Sequence, residues 1–328
     1  MPIPHFPRRA ALLCGLAAAL AAPAIASAQE AYPSKPITIV VGYPPGGSTD
    51  LTGRTVATEL SNKLGVPVVV ENVGGAGGAI GAQKVAGAAP DGYTLLVGTN
   101  GALAINSLLY PNMPFDPLKD FEPVSGFVTS PQILFVNAAV PARSLQELIA
   151  LAKAEPGKLT FASVGQGSAA HLTMEVFKSA TGTDLVHVPY KGAGPAMVDV
   201  MSGRVSMMAI IASSIVPHMG SSKIRVLAAT ADERFPLLPD VPTMKELGVD
   251  VNSWSWLAMV APKGTPQPIV QRLNAAMKEI LADPQVVKKL NGFGVLTNYS
   301  SPAAVTAAMK NDQAVWGKVI RETGTKIE

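Results

Sequence analysis

The chain has 328 residues, of which 48% are hydrophobic, 15% charged and 5% aromatic, with a formal charge of +3. That length supplies one large or two medium domains with a real core. The charged fraction lies far below the roughly 25% of ordinary soluble domains, which excludes most nucleic-acid binders, and the aliphatic content excludes disorder.

Residues 1–28 read as a cleavable secretory signal. Arg8 and Arg9 form its charged start, Ala10 to Leu20 and on to Ala22 its apolar segment, and Ala26-Ser27-Ala28 its small-residue cleavage site, so the mature chain would begin at Gln29. The apolar run is shorter than the ~20 residues of a membrane span, and Pro23 interrupts its end. Pro7-Arg8-Arg9-Ala10 matches twin-arginine export poorly, and Leu13 is too large to precede a lipid-modified Cys14. Cleavage lowers the charge to +1 and removes the single cysteine. The mature protein would be thiol-free, which excludes disulfides, thiolate metal sites and cysteine nucleophiles. No later stretch is long and apolar enough to span a bilayer, so a soluble protein is expected, and the bacterial style of the signal points to the periplasm.

The mature chain repeats strand, glycine-rich turn, helix. Ile37–Val41 is a β-branched strand, broken by Tyr43-Pro44-Pro45-Gly46-Gly47-Ser48, with a helix over Thr49–Leu64. Val66–Val70 is a second strand, followed by the glycine turn Gly74–Gly81 and a small-residue helix, and Thr94–Val97 is a third strand. A second set begins near Ile133–Val136, and Ser144-Leu145-Gln146-Glu147 is a capping box opening a helix to about Glu155. Leu159–Ala162 is a strand, Ser163–Ser168 a turn and Ala169–Ala180 a helix. Val186–Val188, Val205–Ile211, Ile224–Ala228 and Trp254–Val260 are further strands, and Thr243–Glu246 is another capping box. Thr265-Pro266 and Ser301-Pro302 each place an N-cap before an N1 proline, so helices should run to about Ala282 and Arg321. Continuous apolar strands alternating with helices predict an α/β fold with buried parallel strands.

The two glycine turns at 43–49 and 163–168 expose backbone N–H groups at helix starts, where the helix dipole favours anions. In open α/β sheets ligands sit beyond the carboxyl ends of strands, where these turns lie. Facing one another, they would hold a small dicarboxylate or tricarboxylate through N–H groups and the hydroxyls of Ser48, Thr49 and Ser168. The same glycines also suit plain tight turns, and both readings stand at this point. Gly74–Gly81 reads G-G-A-G-G-A-I-G and fits no dinucleotide fingerprint, and no P-loop occurs, so a nucleotide site is unsupported. Ser168 lies in G-Q-G-S-A-A, outside the nucleophile-elbow pattern. A secreted hydrolase using Ser168 and His171, oriented by Asp184 or Asp199, is the rival reading; a capping or cleft-lining histidine is the simpler one. His218 has no ligand spacing around it, and neither H-E-x-x-H nor an aspartate-rich loop occurs, so no metal and no cofactor are expected.

Taken together, the motifs are specific. They are Tyr32-Pro33-Ser34-Lys35-Pro36-Ile37, Pro45-Gly46-Gly47-Ser48-Thr49-Asp50, Val70-Glu71-Asn72 with Gly75-Ala76-Gly77-Gly78, and Pro90-Asp91-Gly92-Tyr93-Thr94-Leu95. Further on come Pro156-Gly157-Lys158-Leu159, Gly167-Ser168-Ala169-Ala170-His171-Leu172 and His187-Val188-Pro189-Tyr190-Lys191-Gly192. Leu238-Pro239-Asp240-Val241-Pro242-Thr243 and Ala261-Pro262-Lys263-Gly264-Thr265-Pro266 complete the set. Over the whole mature chain the sequence resembles the Bug family of periplasmic solute-binding receptors, the tripartite tricarboxylate transporter receptor family.

The resemblance implies a type II periplasmic-binding-protein fold, a "Venus flytrap" of two α/β lobes with a ligand cleft between them. Lobe 1 would be 29–128 plus 255–328 and lobe 2 129–254, with the strand near Trp254–Val260 as the return crossing. It implies a monomeric receptor, not an enzyme, that captures a small carboxylate and delivers it to membrane permease subunits or, alternatively, to a sensor. By family position, Pro45, Gly46, Gly47, Ser48 and Thr49 contact a carboxylate, and Tyr43 packs as a wall. Ser163, Gly167, Ser168 and His171 face them from the other lobe, while Thr99 and Asn100 end a strand aimed at the cleft. Many members carry an aspartate near Ile210 that would pair with a ligand amine; its absence here argues against amino acids and for a more apolar wall.

Overall fold

The computed structural model describes residues 32–110 and 112–324; the expected signal segment, 1–28, lies outside the described residues. β-branched and glycine-punctuated sequence builds the first set: β1 (Ile37–Val41), α1 (Ser48–Leu64), β2 (Val68–Asn72), α2 (Ala79–Ala86) and β3 (Thr94–Thr99). β1 runs parallel between β2 and β3, with Ile37, Ile39, Val40 and Val41 fully buried, as a strand covered on both faces requires. Small residues let α2 close on the end of β1. A Cβ on Gly81 would stand 2.9 Å from Gly42 Cα and from the Val73 carbonyl.

The chain continues with β4 (Phe121–Asn137), α3 (Leu145–Ala154), β5 (Thr160–Ser163), α4 (Ala169–Thr181), β6 (Val186–Pro189), α5 (Ala193–Met201), β7 (Met207–Ile211) and β8 (Ile224–Ala229). Then come β9 (Trp254–Pro262), α6 (Gln267–Ala282), α7 (Pro284–Gly292), β10 (Leu296–Ser300) and α8 (Pro302–Thr323). Two sheets share β4. One runs β2-β1-β3-β9-β4 with β10 also on β4, and the other β4-β7-β5-β6 with β8 also on β4. Among the named strands the pairings within β1–β3 and within β5–β7 are parallel, and β4, β8, β9 and β10 pair antiparallel. The expected parallel architecture therefore describes the two βαβ sets and not the strands that join them.

β4 begins at Phe121, far upstream of the run expected near Ile133. Pro123, Ser125, Gly126, Ser130 and Pro131 break its apolar pattern and hide the first half. That half pairs with β9 from Phe121↔Pro262 to Pro131↔Trp254. From Gln132 onward β4 pairs with β7. The segment returning from β8 is stitched alongside the changeover by Thr230 N–H to the Gln132 carbonyl and Ser253 N–H to the Thr230 carbonyl.

Two expected caps differ. Thr243 does accept the Glu246 amide at 3.0 Å, but only a turn follows, because Gly248 at φ +77° reverses the chain. α6 takes Pro266 itself as its N-cap, and the Thr265 hydroxyl donates back to the Pro262 carbonyl. Ser301 caps α8 as expected.

The second sheet is packed on both faces, around Phe161 and Phe177 on one and Phe135 and Phe235 on the other. A small cluster of Ile105, Leu109, Leu172 and Trp316 joins α8 to α4. Beneath the turn that leads into α4, the rings of Phe161, His187 and His171 stack. The centroids are 4.9 Å apart between Phe161 and His187 and 3.9 Å between the two histidines. Desolvation drives both imidazole pKa values down, to about 3 at His171 and about 4 at His187, with Lys178 adding to each and His187 also acting on His171.

Unfolded histidines bind protons near pH 6.5. Between about pH 6.5 and 4 the unfolded chain therefore takes up protons that the native stack refuses, and stability falls as pH falls. Urea midpoints measured across that window should drop towards acid, and His187→Gln should flatten the slope; an unchanged slope would contradict a neutral stack.

Candidate functional site

A cavity of about 470 Å³ opens beyond the carboxyl ends of β1, β3, β5, β6 and β7, the place where α/β sheets present helix starts to ligands. Its first wall is the loop into α1. Asp50, only 2% exposed, holds this loop from beneath. It accepts the Gly46 amide at 2.9 Å, Arg54 Nε at 3.0 Å and Asn72 Nδ2 at 2.8 Å. Burial pushes its carboxyl upward, but Arg54 and the other donors outweigh that and hold it below the ordinary value. Asn72 Nδ2 also donates to the Tyr43 carbonyl at 2.9 Å. α1 itself starts at Gly47 with no side-chain cap, so its first-turn amides are left for another partner.

The facing wall comes from the second sheet. Ser168 caps α4, accepting the His171 amide at 3.3 Å and donating to the Gly165 carbonyl at 2.7 Å. Next to it α5 starts at Gly192, again without a side-chain cap. The walls meet at glycines: a Cβ on Gly192 would lie 3.6 Å from Pro44 Cδ, and one on Gly165 3.7 Å from the Gly77 amide nitrogen. Among the described residues no Asp or Glu lines the cavity; Lys191 and the imidazole of His218 do. Three helix starts and a lysine with no opposing carboxylate make the interior favourable to anions.

Of the residues expected at the site, Tyr43, Pro45, Gly46, Gly47, Ser48 and Thr49 line this cavity, as do Thr99, Asn100, Ser168 and Ile210. Ser163, Gly167 and His171 are not among the lining residues. Ser163 is fully buried; its hydroxyl donates to the Gly165 carbonyl at 3.0 Å and meets His187 Nε2 at 2.7 Å. The Gly167 amide donates to His171 Nδ1 at 3.2 Å. These three brace the turn from below. The Tyr43 hydroxyl donates to the Gly77 carbonyl at 3.0 Å, and burial pushes its pKa up. Asn100 is committed to the framework, its Nδ2 donating to the Trp254 carbonyl at 3.1 Å and to Asp312 at 3.3 Å. Asp312 also accepts Trp256 Nε1 at 3.0 Å, and burial raises its carboxyl to about 6 despite those two bonds.

The hydrolase constellation is not assembled. Ser168 Oγ bonds backbone groups and not the His171 ring, and Asp199 is taken by Tyr190 at 2.7 Å and Arg204 at 2.9 Å. Sequence reasoning missed the α5 start, although β6 followed by Lys191-Gly192-Ala193-Gly194-Pro195 repeats the strand–glycine–helix signal. It also missed Gln132, Ser213 and Phe293, which no local motif marks.

Comparison with known proteins agrees with this geometry. A family model described as "Tripartite tricarboxylate transporter family receptor" matches residues 52–325. Protein BugT of Bordetella pertussis is 39% identical over 313 residues, covering 95% of each chain. The structure of R. palustris Rpa4515 with adipate superposes at a TM-score of 0.87, with 35% identity over 89% of this chain and 98% of that one. The periplasmic binding protein BugD superposes at 0.85, with 35% identity over 90% of this chain and all (100%) of its own. These relatives are solute-binding receptors and not enzymes, and no helix among the described residues is long and apolar enough to cross a membrane. The two-sheet fold, the cleft and the match along most of the sequence have one reading: the chain belongs to the tripartite tricarboxylate transporter receptor family, the periplasmic solute-binding receptors of the Bug type.

Proposed function

We propose that this receptor captures a small organic carboxylate in the periplasm and delivers it to the permease subunits of a tripartite transporter. Its lobes would be residues 29–128 with 255–328, and 129–254, exported by the leader at 1–28. The observation that supports this most is the convergence of the α1, α4 and α5 starts on one cavity whose described lining includes no acid. One carboxylate would sit on the amides and hydroxyls of Ser48 and Thr49, opposite Ser168 and the Gly192 turn. The adipate held by the R. palustris relative is an anion of this kind. Ile210, 2% exposed, offers no charge to a ligand ammonium, so plain acids are favoured over amino acids. Opening to admit the ligand would part Pro44 from Gly192, which stand together here, and Trp254 and Trp256 lie on β9, where intrinsic fluorescence would report the change.

In a thermal-shift and calorimetry screen of citrate, linear dicarboxylates, aromatic acids and amino acids, at least one non-amino acid should bind. At 100-fold its Kd it should add about 2.7 kcal/mol, and aspartate or glutamate as the best ligand would contradict the reading. Asp50→Ala should release the loop without touching the ligand. We expect affinity about tenfold weaker and stability lower by about 1–3 kcal/mol, the cost of unmade buried bonds, read by calorimetry and urea titration; undiminished affinity would show that the loop needs no such brace.

A further inference from the structure

Asp312 carries a charge that the framework around it does not require. Its half-buried carboxylate takes two bonds, both from neutral donors: Asn100 Nδ2 at 3.3 Å and Trp256 Nε1 at 3.0 Å. Among the described residues no lysine or arginine bonds to it. Withdrawing a charge from water without a counterion is costly, and an asparagine oxygen would accept the same two bonds. The two donors also belong to the strands that border the cavity. Asn100 is part of the cavity wall, as are Thr99 and Gly101 beside it. On β9, Ser255 and Leu257 line the cavity, while Trp256 between them alternates to the other face and does not. Asp312 is thus held from behind, against two strands whose front faces the cavity.

Resting on the carboxylate reading above, we propose that the receptor binds its acid together with a proton, which Asp312 takes up behind the cavity wall. An anion in front of β3 and β9 repels the ionised carboxylate behind them and favours its protonated form. By linkage, a protonated Asp312 favours the anion to the same extent. Both bonds fall on Oδ2, so a proton passing from water to Oδ1 breaks neither. Burial, opposed by those two bonds, already raises the carboxyl to about 6, so a small further rise brings protonation to neutral pH. The elements packed on α8 are β4, residues 101–109 and α4. Their titratable groups are Glu122, paired with Lys263 at 2.9 Å, Glu175, paired with Lys178 at 3.1 Å, and the neutral ring of His171. β3 and β9 carry none, and α8 itself adds Lys310, Lys318, Arg321 and Glu322. On the cavity lining stand Tyr43, Lys191 and His218, of which only an imidazole ordinarily changes charge between pH 5 and 8.

The test is calorimetry on the whole mature chain with succinate, adipate, citrate and benzoate, in buffers of different ionisation enthalpy between pH 5.5 and 8. The titration of each acid is common to all variants and cancels in the comparison. An acid that binds should carry about half a proton into the protein at pH 6.5 and bind about three- to tenfold tighter at pH 5.5 than at pH 8. Asp312→Asn places an amide nitrogen where that proton would stand. It should abolish the uptake and bind at pH 8 as tightly as the parent does at pH 5.5, a gain that damaged packing does not give. Asp312→Ala should likewise abolish the uptake if the first variant folds poorly, and His218→Gln should keep it. An acid that binds without proton uptake, uptake that survives both Asp312 variants, or uptake lost in His218→Gln overturns this inference alone. Binding by none of the four acids overturns the carboxylate reading with it.

Discussion

Backbone N–H groups in the first turn of a helix have no partner within that helix, and here three such turns surround one space. The constraint explains much of the rest. Glycines must occupy the strand–helix junctions so that backbone, and not side chain, forms the wall. The two walls can then approach closely, Gly192 against Pro44 and Gly165 against Gly77. Among the described residues no acidic side chain lines the space, which leaves the amides and helix dipoles unopposed. An arginine there would bind an anion in any shape of site, whereas amides bind it only when the turns are held in place.

Holding them in place falls to groups behind the wall. Asp50 gathers the Gly46 amide, Arg54 and Asn72 under the first turn. The stacked histidines perform the equivalent task under the second, where His171 receives the Gly167 amide and His187 meets Ser163. Asp312 ties α8 to Asn100 at the end of β3 and to Trp256 on the joining strand β9. The buried titratable groups Asp50, His171, His187 and Asp312 thus sit behind the cavity wall and not on it. The pH response is divided accordingly: the histidines weaken the fold towards acid, and Asp312, with its raised pKa, strengthens it in the same direction.

That layering also governs what could be read from the sequence. β1 is legible to the residue because a continuous β-branched run has one interpretation, and the first turn contributes its lining residues in sequence order. The second turn is different. Ser163, Gly167 and His171 lie within a few residues of Ser168, yet they point under the turn and Ser168 points over it, and spacing alone does not distinguish the two sides. The first half of β4 is masked by prolines, serines and a glycine, tolerated because β9 and β10 pair with it through register shifts. The far wall is assembled from Gln132, Ser213 and Phe293, each from a separate stretch of chain, and only the shared crossing strand brings them together.

The contrast between the ends of the cavity follows from how each is built. The helix-start end is made of backbone, which any sequence with the right turns supplies, and on the proposed function it would suit a whole class of acids. The other end is made of side chains on β4 and just after β7, where one substitution changes the chemistry without disturbing the turns. Ile210 there presents no charge, and Gln132 and Ser213 are neutral. On the function proposed above, discrimination among acids would fall to the side chains remote from the carboxylate, with the helix-start amides setting the class.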